Sequence, residues 1–371
     1  MTPTILKTLY RVDNRPAYPL QVLATRYRTQ TGIAVQYAQN TERDTGSGYT
    51  LILLHATGMH KETWEVFIEH LLDYSLRRVS RSSDSTPTHS SYDIDRSDIW
   101  IEDVFSIESP NHGESAVINE QVLKTTYEDR WSPSEYGRAV HTFLTAGANA
   151  VGVDFTKRRL VGICHSVGAP ALFLMHNLIP TYTFTSVIAI EPGISLKGNP
   201  ETDMVSQMLN AWTWLRHDVW PSRKAAKMDL QANPLYGTWD PRVLDFYIKY
   251  GLREHRAAKY KQPFQFKGVT TALTKEQEAA TYRSDELVVD ALEAYSAATR
   301  KMPVYLIWGT ENNVATPELQ ELLADKEAGR FPRSISYVEN AGHLVVQQQP
   351  DSLAELVLSI LHKSVATRNK L

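Results

Sequence analysis

The chain has 371 residues, 42% hydrophobic and 22% charged, the composition of a globular protein with a sizeable core and not of a disordered or fibrous one. A net charge of -3 gives no general pull toward nucleic acid or anionic membrane, and a single cysteine excludes an intrachain disulfide. No run reaches the roughly 18 apolar residues of a membrane span, and residues 1–19 lack the apolar stretch of a secretory signal.

In chain order, Leu20, Val22 and Ala24, then Ile33, Val35 and Tyr37, predict two leading strands in an antiparallel hairpin through Gln30-Thr31-Gly32. Residues 50–54 are almost wholly apolar and predict a strand buried on both faces, ending in His55-Ala56-Thr57-Gly58-Met59. Trp64, Phe67, Ile68, Leu71 and Leu72 form one stripe of a helix over 61–72. Residues 77–98 are polar and serine-rich, with little to bury, which predicts a mobile surface loop. A strand over 99–108 leads to Asn111-His112-Gly113-Glu114-Ser115, and a helix is expected over 131–144.

Residues 159–163 are an apolar run that ends in Cys164-His165-Ser166-Val167-Gly168, and Ala171, Leu172, Leu174 and Met175 continue as a helix. Strand, sharp turn and helix in this order hold a serine hydroxyl on a strained turn beyond the carboxyl end of a parallel strand. The small residues Cys164 and Gly168 suit the close approach of strand and helix there, although glycine is usual where Cys164 stands. A strand over 184–190 ends in Glu191-Pro192-Gly193. Residues 196–299 then read as a mostly helical cap, inserted between a core of 1–195 and 300–371. Strands over 303–309 and 334–338, and helices over 318–327 and 352–361, complete the chain. This alternation predicts an α/β architecture: a mostly parallel sheet with helices on both faces. Sites in such sheets lie beyond the carboxyl ends of the strands, where the turns at His55–Met59, Ser166, Glu191 and His343 all fall.

A serine hydroxyl needs a base, and His343 in Ala341-Gly342-His343-Leu344, after the last strand, is in the right place. His165, beside the serine, and His112, in a neighbouring loop, are rivals better read as shaping the site. The acid that orients the histidine is expected about three residues past Gly309, where Asn312 is neutral and Glu311 is adjacent. The alternative is Glu191, one strand earlier; chain order favours it, with Glu311 left open. The oxyanion donors are the backbone N–H groups of Val167 and Thr57, with Ala56 standing where glycine is more usual. His55, Met59, His165, Trp212 and Trp214 are the expected substrate contacts. The basic stretch Arg223-Lys224-Ala225-Ala226-Lys227 reads first as a solvated helix face and second as a surface for coenzyme A phosphates. No metal cluster or nucleotide loop is evident, so no cofactor is expected.

Leu54-His55-Ala56-Thr57-Gly58-Met59, Asn111-His112-Gly113-Glu114-Ser115, His165-Ser166-Val167-Gly168, Ile190-Glu191-Pro192 and Gly342-His343-Leu344, in this order, resemble the fungal peroxisomal branch of the α/β-hydrolases. That branch includes a yeast peroxisomal lipase, the acyl-CoA hydrolase of mycophenolic acid biosynthesis and hydrolases of host-selective toxin pathways. The resemblance covers about 50–195 and 300–371, with little recognisable in the cap, and implies the α/β-hydrolase fold and an acid after the sixth strand, which carries over onto Glu191. It also implies peroxisomal import, through a receptor reading Asn369, Lys370 and Leu371 as a variant of a C-terminal address. The activity it implies is hydrolysis of an acyl thioester or ester, in fungal secondary or lipid metabolism; the aromatic residues of the cap, Trp212 and Trp214 among them, predict a bulky apolar acyl group. Cyclisation, acyl transfer or C–C bond chemistry, and a non-catalytic binding role, are the alternatives. The expected partners are that substrate, the import receptor and a second copy of the chain as a homodimer.

Overall fold

The apolar runs of the sequence form the middle of one sheet in the computed structural model, which describes residues 4–30, 48–83, 99–287 and 289–368. Eight strands pair in the order β1 (Thr4–Val12), β2 (Val22–Gln30), β4 (Ile101–Ile107), β3 (Tyr49–Leu54), β5 (Arg159–His165), β6 (Phe184–Ile190), β10 (Val304–Gly309) and β11 (Ser334–Val338). The β1–β2 and β2–β4 pairings are antiparallel and the others parallel, so this is the mostly parallel sheet expected.

Alternate residues of each central strand feed opposite cores. Leu51, Leu53, Ile163 and Ile188 face helices Glu65–Ser83 and Pro350–Arg368, while Ile52, Leu54, Leu160 and Val187 face helices Pro133–Ala146, Gly168–Met175 and Asp290–Lys301. Both faces are covered, which is why these strands read as continuous apolar runs.

Several expectations are revised. β2 forms an antiparallel hairpin with β1, an earlier strand that the sequence reading missed, through a turn at 13–21; the turn expected through Gln30-Thr31-Gly32 runs into residues outside the described ones. β1 is an edge strand with Leu6 and Leu9 exposed, so it lacks the alternation that marks a half-buried strand. The second strand expected around Ile33–Tyr37 falls outside the described residues. The helix expected over 61–72 opens as a 3-10 turn, Lys61–Trp64, and runs on to Ser83. Residues 77–83 are therefore helical and not loop, while 84–98 and the tail Asn369-Lys370-Leu371 lie outside the described residues.

Between β6 and β10, helices Pro200–Leu215, Arg223–Ala232, Pro241–Phe246 and Lys275–Tyr282 are joined by an unexpected small sheet, β7 (Val219–Trp220), β8 (Leu252–Glu254) and β9 (Val269–Thr271), in the order β7-β9-β8. Strands of two and three residues are too short to show a period. Trp220, Tyr236, Trp239, Val243 and Tyr247 from this region share an apolar cluster with Ala56 and Met59, so it packs over the turn that follows β3.

Helix and sheet approach closely at Gly168, where a Cβ would sit 2.6 Å from Leu54 O and 2.9 Å from Leu54 Cβ. The facing atoms are backbone and cannot rotate away. Gly168→Ala is therefore expected to lower stability by about 1–3 kcal/mol, the cost of overpacking a closed interface, read as a drop in urea midpoint at unchanged slope.

Candidate active site

Three neighbouring strands end in register: His165 lies opposite Ile190, and Ile190 opposite Ile307. The residues one step beyond the first two, Ser166 and Glu191, both adopt the left-handed backbone, with φ of 53° and 46°. Each such non-glycine residue costs on the order of 1–3 kcal/mol and persists only where neighbours hold it. Here the Ser166 N–H donates to Ile190 O and the Gly193 N–H to Ser166 O, both at 3.0 Å, while the Glu191 N–H donates to Ile307 O at 2.9 Å.

These turns bring three distant residues together. Ser166 Oγ lies 3.0 Å from His343 Nε2, and His343 Nδ1 lies 3.1 Å from Glu191 Oε2. The other carboxylate oxygen, Glu191 Oε1, accepts the Gly309 N–H at 2.7 Å. A carboxylate only accepts, so the proton sits on His343 Nδ1 and the Nε2 lone pair faces the serine. The His343 backbone is clamped at both ends: its N–H donates to Asn313 Oδ1 at 2.8 Å, and its carbonyl accepts from His165 Nε2 at 2.7 Å. Glu311, the alternative acid, is solvent-exposed, and its neighbour Asn312 accepts from Gln320 Nε2 at 2.9 Å. The geometry thus groups Glu191, not Glu311, with His343 and Ser166.

Val167 precedes the helix Gly168–Met175, where backbone N–H groups lack intrahelical partners and the helix dipole is positive. Thr57 lies in the turn after β3, in the wall of the cavity that also exposes Ser166. That turn is held by the Gly58 N–H, which donates to His112 Nε2 at 3.0 Å, while His112 Nδ1–H donates to Asn111 Oδ1 at 2.6 Å.

The cavity has a volume of about 140 Å³. Met59 and Trp212 line it, as expected of substrate contacts; His55, His165 and Trp214 do not. His55 is buried behind the turn, with Nδ1–H donating to Ala56 O at 2.8 Å and Nε2 accepting the Ser109 N–H at 3.0 Å. His165 lies beneath His343 and supports its carbonyl. Trp214 is on the opposite side of its helix from Trp212 and faces solvent, because residues two apart do not share a helix face. The basic stretch is also engaged elsewhere: Arg223 donates to Ile248 O and Leu252 O, and Lys227 pairs with Asp245.

Sequence reasoning missed Asn313, Arg216 and Glu278, all in the cavity wall. Asn313 had a usable signal, since it falls in the turn after β10 where the acid is usual. The fold also gathers His60, Glu62 and Glu108, whose ligand atoms lie within 4.8 Å of one another. Lys61 Nζ stands among them, 2.7 Å from Glu62 Oε1 and 3.3 Å from Glu108 Oε1, so an ammonium already occupies the place a metal cation would take. Among the described residues no other such group forms, and no helix is long and apolar enough to cross a membrane.

The Alpha/beta hydrolase family profile matches residues 51–356, and the chain belongs to that family. The chain is 24% identical over 229 residues to the abhydrolase domain-containing protein ACTT2 of Alternaria alternata, covering 55% of this chain and 83% of that one. It is 28% identical over 279 residues to the type I acyl-CoA thioesterase mpaH of Penicillium roqueforti, 74% of this chain but only 49% of that relative's length. The fold matches that of the peroxisomal alpha-beta-hydrolase Lpx1 of Saccharomyces cerevisiae with a TM-score of 0.69 at 17% identity, over 99% of this chain and 90% of that one. The relatives are thus fungal hydrolase-fold proteins, a thioesterase among them.

Burial pulls His55 and His165 down to about 3, partly opposed by their hydrogen bonds to backbone carbonyls, so both are neutral in the folded protein. Unfolded, they titrate near 6.5, so unfolding between these values takes up protons. Their contribution to stability is complete above about pH 6.5 and falls as pH drops toward about 3, by about 1.4 kcal/mol per pH unit for each. His55→Gln is expected to flatten the pH dependence of unfolding by that amount, measured by urea titration at about pH 6, 5 and 4.

Proposed function

We propose that this chain is a serine hydrolase that cleaves an acyl thioester or carboxylic ester through an acyl-enzyme. The observation that carries the proposal is the unbroken hydrogen-bond path from Glu191 through His343 to Ser166 Oγ, at 3.1 and 3.0 Å, opening on a cavity. In this reading Ser166 Oγ attacks the carbonyl carbon while His343 Nε2 takes its proton. Glu191 holds the ring in the tautomer that leaves Nε2 free and stabilises the imidazolium that forms. The N–H groups of Val167 and Thr57 meet the oxyanion. As the adduct collapses, Nε2–H hands its proton to the departing sulfur or oxygen. Water then attacks the acyl-serine with His343 again as base, which releases the acid and restores the serine. The scheme uses no cofactor. The thioester preference draws its support from the relative named as an acyl-CoA thioesterase. A peroxisomal location belongs to the same proposal, supported by the structural likeness to a yeast hydrolase described as peroxisomal.

The test is steady-state hydrolysis of a panel of acyl-CoA thioesters and matched esters. Ser166→Ala is expected to lower kcat/KM by about ten-thousand-fold or more, and Glu191→Gln by roughly a hundred- to ten-thousand-fold, mainly through kcat. Glu311→Gln is expected to stay within about twofold of wild type, as for an exposed surface change. Full activity in Glu191→Gln would remove that residue from the relay, and turnover in Ser166→Ala would end the serine mechanism.

A further inference from the structure

The cavity wall carries a charge pair that the hydrolytic scheme leaves unused. Arg216, capping the C-terminus of helix Pro200–Leu215, reaches Glu278 on helix Lys275–Tyr282, with Nη2 and Oε2 2.5 Å apart. Their side chains are 8% and 7% exposed. Both line the same cavity as Ser166 and His343, beside Tyr236, Tyr247 and Tyr282.

Burying two charges has a desolvation cost that an apolar pair of the same shape avoids, so tying two helices together does not by itself call for this pair. A guanidinium has five N–H donors, and among the described residues only Glu278 accepts from this one. The remaining N–H groups are not sealed away inside the protein. The pair therefore presents unused donors and lone pairs at the wall of the space that receives the acyl group. Its net charge is zero. An entering carboxylate would be opposed by Glu278, and an ammonium by Arg216. A hydroxyl suits both, since it donates to the carboxylate and accepts from the guanidinium. The cavity is of about 140 Å³, and a cavity of about 150 Å³ holds one benzene ring.

We infer that the acyl group carries an alcoholic or phenolic hydroxyl at its end remote from the scissile carbonyl, and that Arg216 and Glu278 bind this hydroxyl. The inference rests on the acyl-hydrolase reading and replaces the wholly apolar acyl group that the aromatic residues alone suggest. Arg216 and Glu278 are then specificity residues, touching the substrate and not the reacting carbonyl.

The experiment is calorimetric binding of paired CoA thioesters to Ser166→Ala: para-hydroxyphenylacetyl against phenylacetyl, and ω-hydroxyhexanoyl against hexanoyl. The hydroxylated member of at least one pair is expected to bind about tenfold or more tightly, because a site built for a hydroxyl leaves polar groups unpaired when it is missing. Adding Arg216→Met with Glu278→Leu, a shape-matched apolar pair, is expected to abolish or invert that preference. If that variant does not fold, Glu278→Gln in the same background is read instead, with the preference expected to fall at least about threefold. Equal or weaker binding of both hydroxylated ligands, or a preference that survives these replacements, overturns the inference. Hydrolysis of the same four thioesters by the wild-type chain is measured separately. Its absence would count against thioester hydrolysis, while the binding comparison would still decide the role of the pair.

Discussion

The site depends on one constraint: two adjacent parallel strands end level, and the next residue of each turns left-handed. Ser166 and Glu191 each sit one step past a paired position, at φ of 53° and 46°. Neither is glycine, so each carries backbone strain, and each is held by hydrogen bonds to the neighbouring strand. The bond from the Gly193 N–H to Ser166 O joins the two turns directly. Moving either strand by one residue would send its side chain to the other face of the sheet and part the serine from the acid. The apolar packing on both faces, which fixes the register, therefore also fixes the distance between the two functional groups.

A second layer of constraint lies on the other side of the serine. The turn after β3 is held from below by His112 and from beside by the buried group Lys61, Glu62 and Glu108, in which one ammonium lies between two carboxylates. Burial raises the Glu108 carboxyl, partly opposed by Lys61, and pulls the Lys61 ammonium down, an effect more than offset by the two carboxylates. His60, hydrogen-bonded to Glu62 at 2.9 Å, stacks its ring on Tyr247 of the covering region. Ala56 and Met59 belong to the same apolar cluster as Trp239 and Tyr247. The residues that place Thr57 and the residues that enclose the cavity are therefore one packed unit, so the cover and the turn after β3 take up their positions together.

Ser166, His343 and Glu191 were legible in the sequence because each stands in a turn directly after an apolar strand, a local pattern that needs no knowledge of distant contacts. The choice between Glu191 and Glu311 was only partly legible. Chain order narrows it to two loops, but which carboxylate reaches the imidazole depends on the Gly309 N–H that anchors Glu191, a contact 118 positions away in sequence. His55 does not line the cavity: its position at a strand end is shared by functional residues, while its burial against Tyr136 and Ser109 is a tertiary fact. Trp214 faces solvent for a reason the sequence carries, since it is two residues from Trp212 on one helix and cannot face the same way. The Arg216–Glu278 pair spans 62 positions between two amphipathic helices, and nothing local marks it. The short strands of the covering region have no period to detect.

The departure at Cys164 has a structural answer. Glycine is the usual residue two places before the serine, where helix and strand come close. Here Gly162, on the same face of β5 by the two-residue period, provides that room: a Cβ on it would lie 2.3 Å from Leu172 Cδ2. Gly168 does the same on the helix side against Leu54. Cys164 is then free to carry a side chain, which is fully buried, with Sγ 3.7 Å from Ile188 O. Burial pushes its thiol up and keeps it protonated. A thiol is the stronger nucleophile of the two only as a thiolate with access to substrate, and this one has neither. Ser166 is the group whose turn lifts it out of the sheet, whose proton has an acceptor at 3.0 Å, and whose hydroxyl opens on the cavity.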